Sequence, residues 1–283
     1  MSEEILQPDF TPAPPRTPNL GHAALFFVLA IGTVFMTQAC VAVAAHWILS
    51  LQNVPPAQLV QHSRLIIFTE LSAYLLALAI AAVVFPAIWH RSFASGIHWS
   101  VRAAATRWTY LLALGAAIAF ASALCEHFLA IPKQLPVDRF FQNRADLWLL
   151  TLFGTTLAPA FEEICFRGFL LPSIAIAFDW ICLPRTPEGQ LRWQSTDSLS
   201  PAALAVGAIV SSLAFALLHG HQLNFTLGPL ALLFCVSLVL STVRIRFHSV
   251  AASTLVHAGY NGLLFAATYL ATSGYTHLDK LTR

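Results

Sequence analysis

Two carboxylates and a guanidinium stand inside an otherwise apolar run, Ala158-Pro159-Ala160-Phe161-Glu162-Glu163-Ile164-Cys165-Phe166-Arg167-Gly168. An ionised side chain near the centre of a bilayer costs about 2.5–3.5 kcal/mol on insertion scales. Three of them together point to pairing, to use, or to both. On a helix, residues four apart share a face. Glu163 and Arg167 are such a pair, with the acid on the N-terminal side, the better order for an ion pair. Glu162 lies about 100° further round and cannot share that face. The spacing therefore predicts that Arg167 neutralises Glu163 and leaves Glu162 free to act as a general base towards water. The plainer alternative is that all three groups lock membrane helices together. Cys165, beside Glu162, is a second nucleophile to weigh; a thiolate there would need a base or cation next to it.

Two further apolar runs carry polar residues at the same spacing. One ends Phe215-Ala216-Leu217-Leu218-His219, and the other contains His257-Ala258-Gly259-Tyr260-Asn261. His257 and Asn261 fall on one helical face and present hydrogen-bond donors towards one point, while Phe215 packs one turn from His219 and can fix its ring. A lone intramembrane histidine is often only a helix–helix hydrogen bond. Three polar constellations on three runs converge if those helices form one bundle around a cavity.

The elements that must position them are membrane helices. The chain has 283 residues, 57% hydrophobic and 10% charged, with a mean hydropathy of +0.70, values of a polytopic membrane protein rather than a soluble one. A net charge of +2 gives no footprint for nucleic acid. The expected spans are Ala23–Ile48, Leu65–Trp89, Trp108–Ile131, Leu147–Phe178, Pro201–Leu218, Leu227–Val243 and Ser249–Leu270. The fourth exceeds the roughly 20 residues a crossing needs; a break at Pro159, which has no backbone donor, a steep tilt or an emerging helix end would each absorb the excess. The fold class is thus all-α, a polytopic membrane helix bundle of seven to eight spans with a buried polar cavity. Its parts are a polar, Pro-rich N-terminal tail (1–21), N-terminal membrane helices (22–146), a catalytic membrane core (147–271) and a C-terminal tail (272–283). Arginines after spans two, four and six slightly outweigh the cations on the other side, which favours a cytoplasmic N-terminus. Tryptophans near the span ends, Trp89 among them, read as interfacial belts. The five cysteines read as small buried hydrophobes. Glu70, inside span two, is an intramembrane acid with no evident partner.

The three motifs in order, Glu162-Glu163-x-x-x-Arg167, Phe215-x-x-x-His219 and His257-x-x-x-Asn261, resemble the CPBP family of CAAX proteases and bacteriocin-processing enzymes, also called the Abi family. They are similar to those of the eukaryotic type II CAAX prenyl endopeptidase. The resemblance covers spans four to seven. It implies a glutamate-dependent intramembrane peptidase. Glu162 would activate water with help from His219, His257 and Asn261 would form the oxyanion hole, and Glu163, Arg167 and Phe215 would support the site. No cofactor and no metal are implied. The implied partners are the bilayer and a membrane-associated or lipidated peptide, and the expected location is a bacterial inner (cell) membrane. The chemistry is coherent by itself, because water needs a base to attack a carbonyl and the oxyanion needs donors where its charge develops. Competing readings are a metal-dependent membrane hydrolase using Glu162, Glu163, His219 and His257, and a non-catalytic transporter or immunity scaffold. The substrate and the oligomeric state are not encoded in these motifs.

Overall fold

The computed structural model describes residues 16–47, 62–129, 136–195 and 198–281; most of the expected N-terminal tail and the end of the third expected span lie outside them. Among the described residues there is no strand. The principal helices are α1 (Leu20–Trp47), α2 (Ser63–Trp89), α3 (Trp108–Glu126), α4 (Arg144–Thr155), α5 (Leu157–Glu163), α6 (Leu171–Cys182), α7 (Pro187–Ser195), α8 (Pro201–Leu218), α9 (Leu227–Phe247) and α10 (Val250–Ala271). Helices this apolar on every face are at home in lipid. Large side chains project outward from them, with Val28 67%, Phe35 67%, Val83 73% and Phe120 62% exposed. Several span threonines bond back to their own helix, as Thr33 does to the Ala30 carbonyl at 2.8 Å and Thr37 to that of Thr33 at 2.8 Å.

Six helical segments are long and apolar enough to cross a membrane: α1, α2, α3, the composite Arg144–Cys182, α8 and α9. The seventh expected span, α10, has 22 residues, a crossing length. It falls short in apolarity because it carries His257, Tyr260 and Asn261, and it tolerates them because it is an inner helix, packed against α3, α4, α5 and α9. The seven expected spans thus resolve into six by length and apolarity, plus one polar inner helix.

Close approach between α3 and α10 rests on two glycines. A Cβ on Gly115 would run into the Val256 carbonyl oxygen, and one on Gly259 into the backbone of Leu112. Small residues at such crossings let two membrane helices touch backbone to backbone. Gly115→Ala is expected to destabilise the protein by about 1–3 kcal/mol and to lower activity with it, because Val256 adjoins His257. Thermal unfolding in detergent together with an activity assay measures both; an unchanged midpoint would remove the packing argument.

The long fourth run does break, but not at the proline. The interruption falls at Thr156 (φ −124°, ψ −82°), between α4 and α5. Pro159 has no N–H for the carbonyl four residues earlier, that of Thr155, and its ring crowds it, so the distortion appears one turn upstream. The hydroxyls of Thr155 and Thr156 bond back to the Thr151 and Leu152 carbonyls at 2.6 and 2.5 Å. Beyond α5 the chain widens into one π-helical segment, Ile164–Leu170, before α6.

The side assignments agree with contacts between loops. The segment after α2 meets the end of α9, where the Val250 N–H donates to the His98 carbonyl at 3.1 Å and the Ser249 hydroxyl to that of Ser100 at 3.0 Å. On the other side the starts of α2 and α4 are tied by Arg64 and Asp146 at 2.8 Å. Three expectations need correction. Arg244 and Arg246 belong to the last turn of α9, not to a loop. Trp89 is only 9% exposed and packs in an aromatic cluster with Phe85, Phe93 and Phe169, because the chain turns back over it through Gly96. Of the five cysteines only Cys165 is buried; the other four are exposed on apolar helices. Residues 272–281 are packed as well, since the Tyr275 hydroxyl reaches the Thr151 hydroxyl at 2.9 Å.

Candidate active site

The aromatic core sets the position of the first motif. Phe161 stacks on Tyr74 of α2 with centroids 3.9 Å apart, and Phe169 stacks on Phe26 of α1 at 4.2 Å. The segment between them, carrying Glu162, Glu163, Cys165 and Arg167, is thereby pinned at both ends and turned towards α8, α9 and α10. π-helical turns inside α-helices occur often at functional sites.

The sequence pairing of Arg167 with Glu163 is present. Arg167 Nη1 donates to Glu163 Oε1 at 2.8 Å, and both side chains are fully buried. The rest of the guanidinium is also satisfied. Nη2 donates to the Ser237 carbonyl at 2.8 Å and to the Ser237 hydroxyl at 2.5 Å, and Nε reaches the Ser241 hydroxyl at 3.4 Å. Its plane lies 5.0 Å from the Phe215 ring. Ser241 in turn pairs with Ser212 of α8 at 3.2 Å. Arg167 is thus the knot between the first motif, α8 and α9, which fits the supporting role the spacing gave it. Ser237 and Ser241 were not singled out from sequence, although two serines four apart in an apolar span were a readable signal.

His257 links the two carboxylates. Its Nδ1 lies 3.1 Å from Glu163 Oε1, and its Nε2 lies 3.8 Å from Glu162 Oε2. A carboxylate bound to Arg167 accepts, so Nδ1 carries a hydrogen and the ring is held with Nε2 towards Glu162. Glu162 is not clamped by the arginine and is 17% exposed at its side chain, whereas Glu163 is sealed. The two adjacent acids therefore have different surroundings, one charge-paired and dry, the other opposite an imidazole with access to solvent.

His219 caps α8. Its Nδ1 is 2.9 Å from the Phe215 carbonyl. A carbonyl can only accept, so Nδ1 is protonated and, in the neutral ring, Nε2 holds the free lone pair. Phe215 lies between the histidines, with centroids 4.7 Å from His219 and 5.8 Å from His257. Asn261, one turn along from His257, donates through Nδ2 to the Gly154 carbonyl at 2.7 Å. That carbonyl belongs to the last turn of α4, where helical partners run out, so Asn261 also fastens the end of α4 to α10. The structure gathers Glu162, Glu163, Arg167 and His257 directly, and attaches His219 through Phe215 and Asn261 through α10.

A cavity also lies away from the motifs. It measures about 240 Å³ and lies between α1 and α2; its walls include Gln38, Glu70 and Arg139 but none of the motif residues. Glu70, whose partner was not evident from sequence, faces this cavity and lies within electrostatic reach of Arg139 and Glu162. Among the described residues no three histidine, cysteine or acidic side chains come together as a metal-binding set.

Residues 144–263 match the family described as type II CAAX prenyl endopeptidase Rce1-like. No curated protein and no solved structure matches the chain. The match begins at the first residue of α4 and ends inside α10, so it encloses the break, the π turn and all three polar motifs. The likeness to that family is confined to this membrane core, less than half of the chain.

Proposed function

We propose that the protein hydrolyses a peptide bond of a membrane-associated or lipidated protein by means of water activated by Glu162. The observation that carries this reading is the asymmetry of the adjacent acids. Arg167 is fully engaged by Glu163, Ser237 and Ser241, so Glu162 has no cation to quench it and sits opposite His257. Glu162 takes the proton of the attacking water. His219, with its Nε2 lone pair available, assists that transfer. Glu163 orients His257 through Nδ1–H, and Nε2, once protonated, donates to the oxygen that gains charge as the carbonyl is attacked. Asn261 has a second amide N–H beyond the one on Gly154, and that donor completes the oxyanion site. The residues carry out the reaction without a covalent intermediate, which leaves Cys165 a packing role.

The test is cleavage of a quenched lipidated peptide by the purified protein in detergent. Cys165→Ser is expected to keep most of the wild-type activity, and His219→Ala to lose most of it. The reverse pattern would transfer the reaction to the thiol. Asn261→Ala is expected to lower kcat by about 10²–10³ with KM nearly unchanged. It also strands the Gly154 carbonyl, at a cost of about 1–3 kcal/mol, visible as a lower unfolding midpoint. Because asparagine does not titrate, the pH profile keeps its shape; a shifted profile would contradict its role as a neutral donor.

A further inference from the structure

Where α2 and α9 finish, Arg91, His98, Arg244 and His248 come within electrostatic reach of one another. Arg244, in the last turn of α9, is 7% exposed, and its Nε is buried with no hydrogen-bond partner. It makes no ion pair with any described residue. The other buried guanidinium, Arg167, shows what a satisfied one looks like, with a carboxylate and two serines around it. Around His98, on the segment after α2, stand Arg244, Arg91 and His248. Partial burial of its ring, and then these neighbours, bring the His98 pKa down to about 4.

A buried guanidinium needs hydrogen-bonded anionic partners to offset its lost hydration. The C-terminus of α9 supplies only about half an elementary charge, shared with Arg246 in the same turn. The loops that bring the groups together are fastened to each other by the Val250–His98 and Ser249–Ser100 hydrogen bonds, so the cluster is built rather than accidental. A planar guanidinium with free N–H groups, flanked by a second arginine and two imidazoles, matches the tetrahedral oxygens of a phosphate. Arg244 stands in the last turn of a helix of crossing length, and at such an end lipid-headgroup phosphates come within reach.

We propose that Arg244, with Arg91, His98 and His248, binds a phosphate group at this end of the bundle, as carried by an anionic phospholipid headgroup or by free phosphate. The site is separate from the hydrolytic motifs and does not depend on their reading.

The experiment uses the whole purified protein in an uncharged detergent and follows its thermal unfolding midpoint. Short-chain phosphatidylglycerol, short-chain phosphatidylcholine and inorganic phosphate at matched ionic strength are titrated separately. A saturable rise with phosphatidylglycerol and none with the other two supports the site with a lipid headgroup as its ligand. An equal saturable rise with inorganic phosphate supports it with free phosphate as the source. In either case Arg244→Gln is expected to raise the half-saturating concentration about tenfold or more, since it removes a charge-assisted contact. The double variant Arg91→Gln, His98→Asn tests the same point on exposed positions, with asparagine chosen because His98 sits at a left-handed φ of 57°; it is expected to weaken the response too. No saturable rise with either anion in the wild-type protein, or an undiminished one in these variants, overturns the proposal.

Discussion

Glu162→Gln is expected to bring turnover close to background while a lipidated peptide still binds. The amide keeps the shape and much of the hydrogen bonding of the acid but cannot accept the proton of water. General base catalysis contributes about 10²–10⁴ in rate, and the loss should fall in kcat rather than KM because the contact matters in the transition state. The two acids are adjacent in sequence but not interchangeable. Glu163 is sealed at 0% exposure against Arg167 and His257, whereas Glu162 keeps 17% exposure. Glu163→Gln should therefore lower stability first, by weakening the Arg167 contact, and activity second, by releasing His257. Kinetics against pH for the two variants, with binding of the peptide followed separately, distinguish them. Full turnover in Glu162→Gln would reject a glutamate-activated water.

Arg167→Ala is expected to damage the fold as much as the chemistry. It leaves the buried Glu163 charge without its cation and strands Ser237 and Ser241 of α9. Removing one partner of a buried pair costs about 3–5 kcal/mol. For a chain of this size that corresponds to a fall in the unfolding midpoint on the order of 10 °C, together with poor yield. Arg167→Lys keeps the charge but not the fork that spans Glu163 and Ser237, so it should fall between wild type and alanine. Pairing Arg167→Met with Glu163→Gln removes the stranded charge and should recover part of the stability lost by alanine, without recovering turnover. Thermal unfolding of the four proteins in one detergent measures this series. An alanine variant as stable as wild type would show that the ion pair does not hold the bundle.

Local sequence alone carried the all-helical membrane character, the pairing of Glu163 with Arg167 and the identity of the three polar motifs. Each depends on quantities that a short window contains: apolar content, and a spacing of four on a helix. The family match over 144–263 encloses the same motifs. Other features needed the tertiary structure. His257 meets Glu163 across 94 positions, Arg167 meets Ser237 across 70 and Asn261 meets Gly154 across 107. No window holds such pairs. In a membrane the usual guide to the buried face also fails, because lipid accepts apolar side chains as readily as the protein interior does. The fourth run illustrates a subtler limit. Pro159 announced a break, but the strain settled at Thr156, because the proline disturbs the carbonyl of the preceding turn and not its own position. Likewise α10 could be found as a helix from its sequence, but its place at the centre of the bundle was decided by backbone contact through Gly115 and Gly259. There the absence of two side chains, rather than the presence of any, lets the helix that carries His257 and Asn261 come close enough to complete the site.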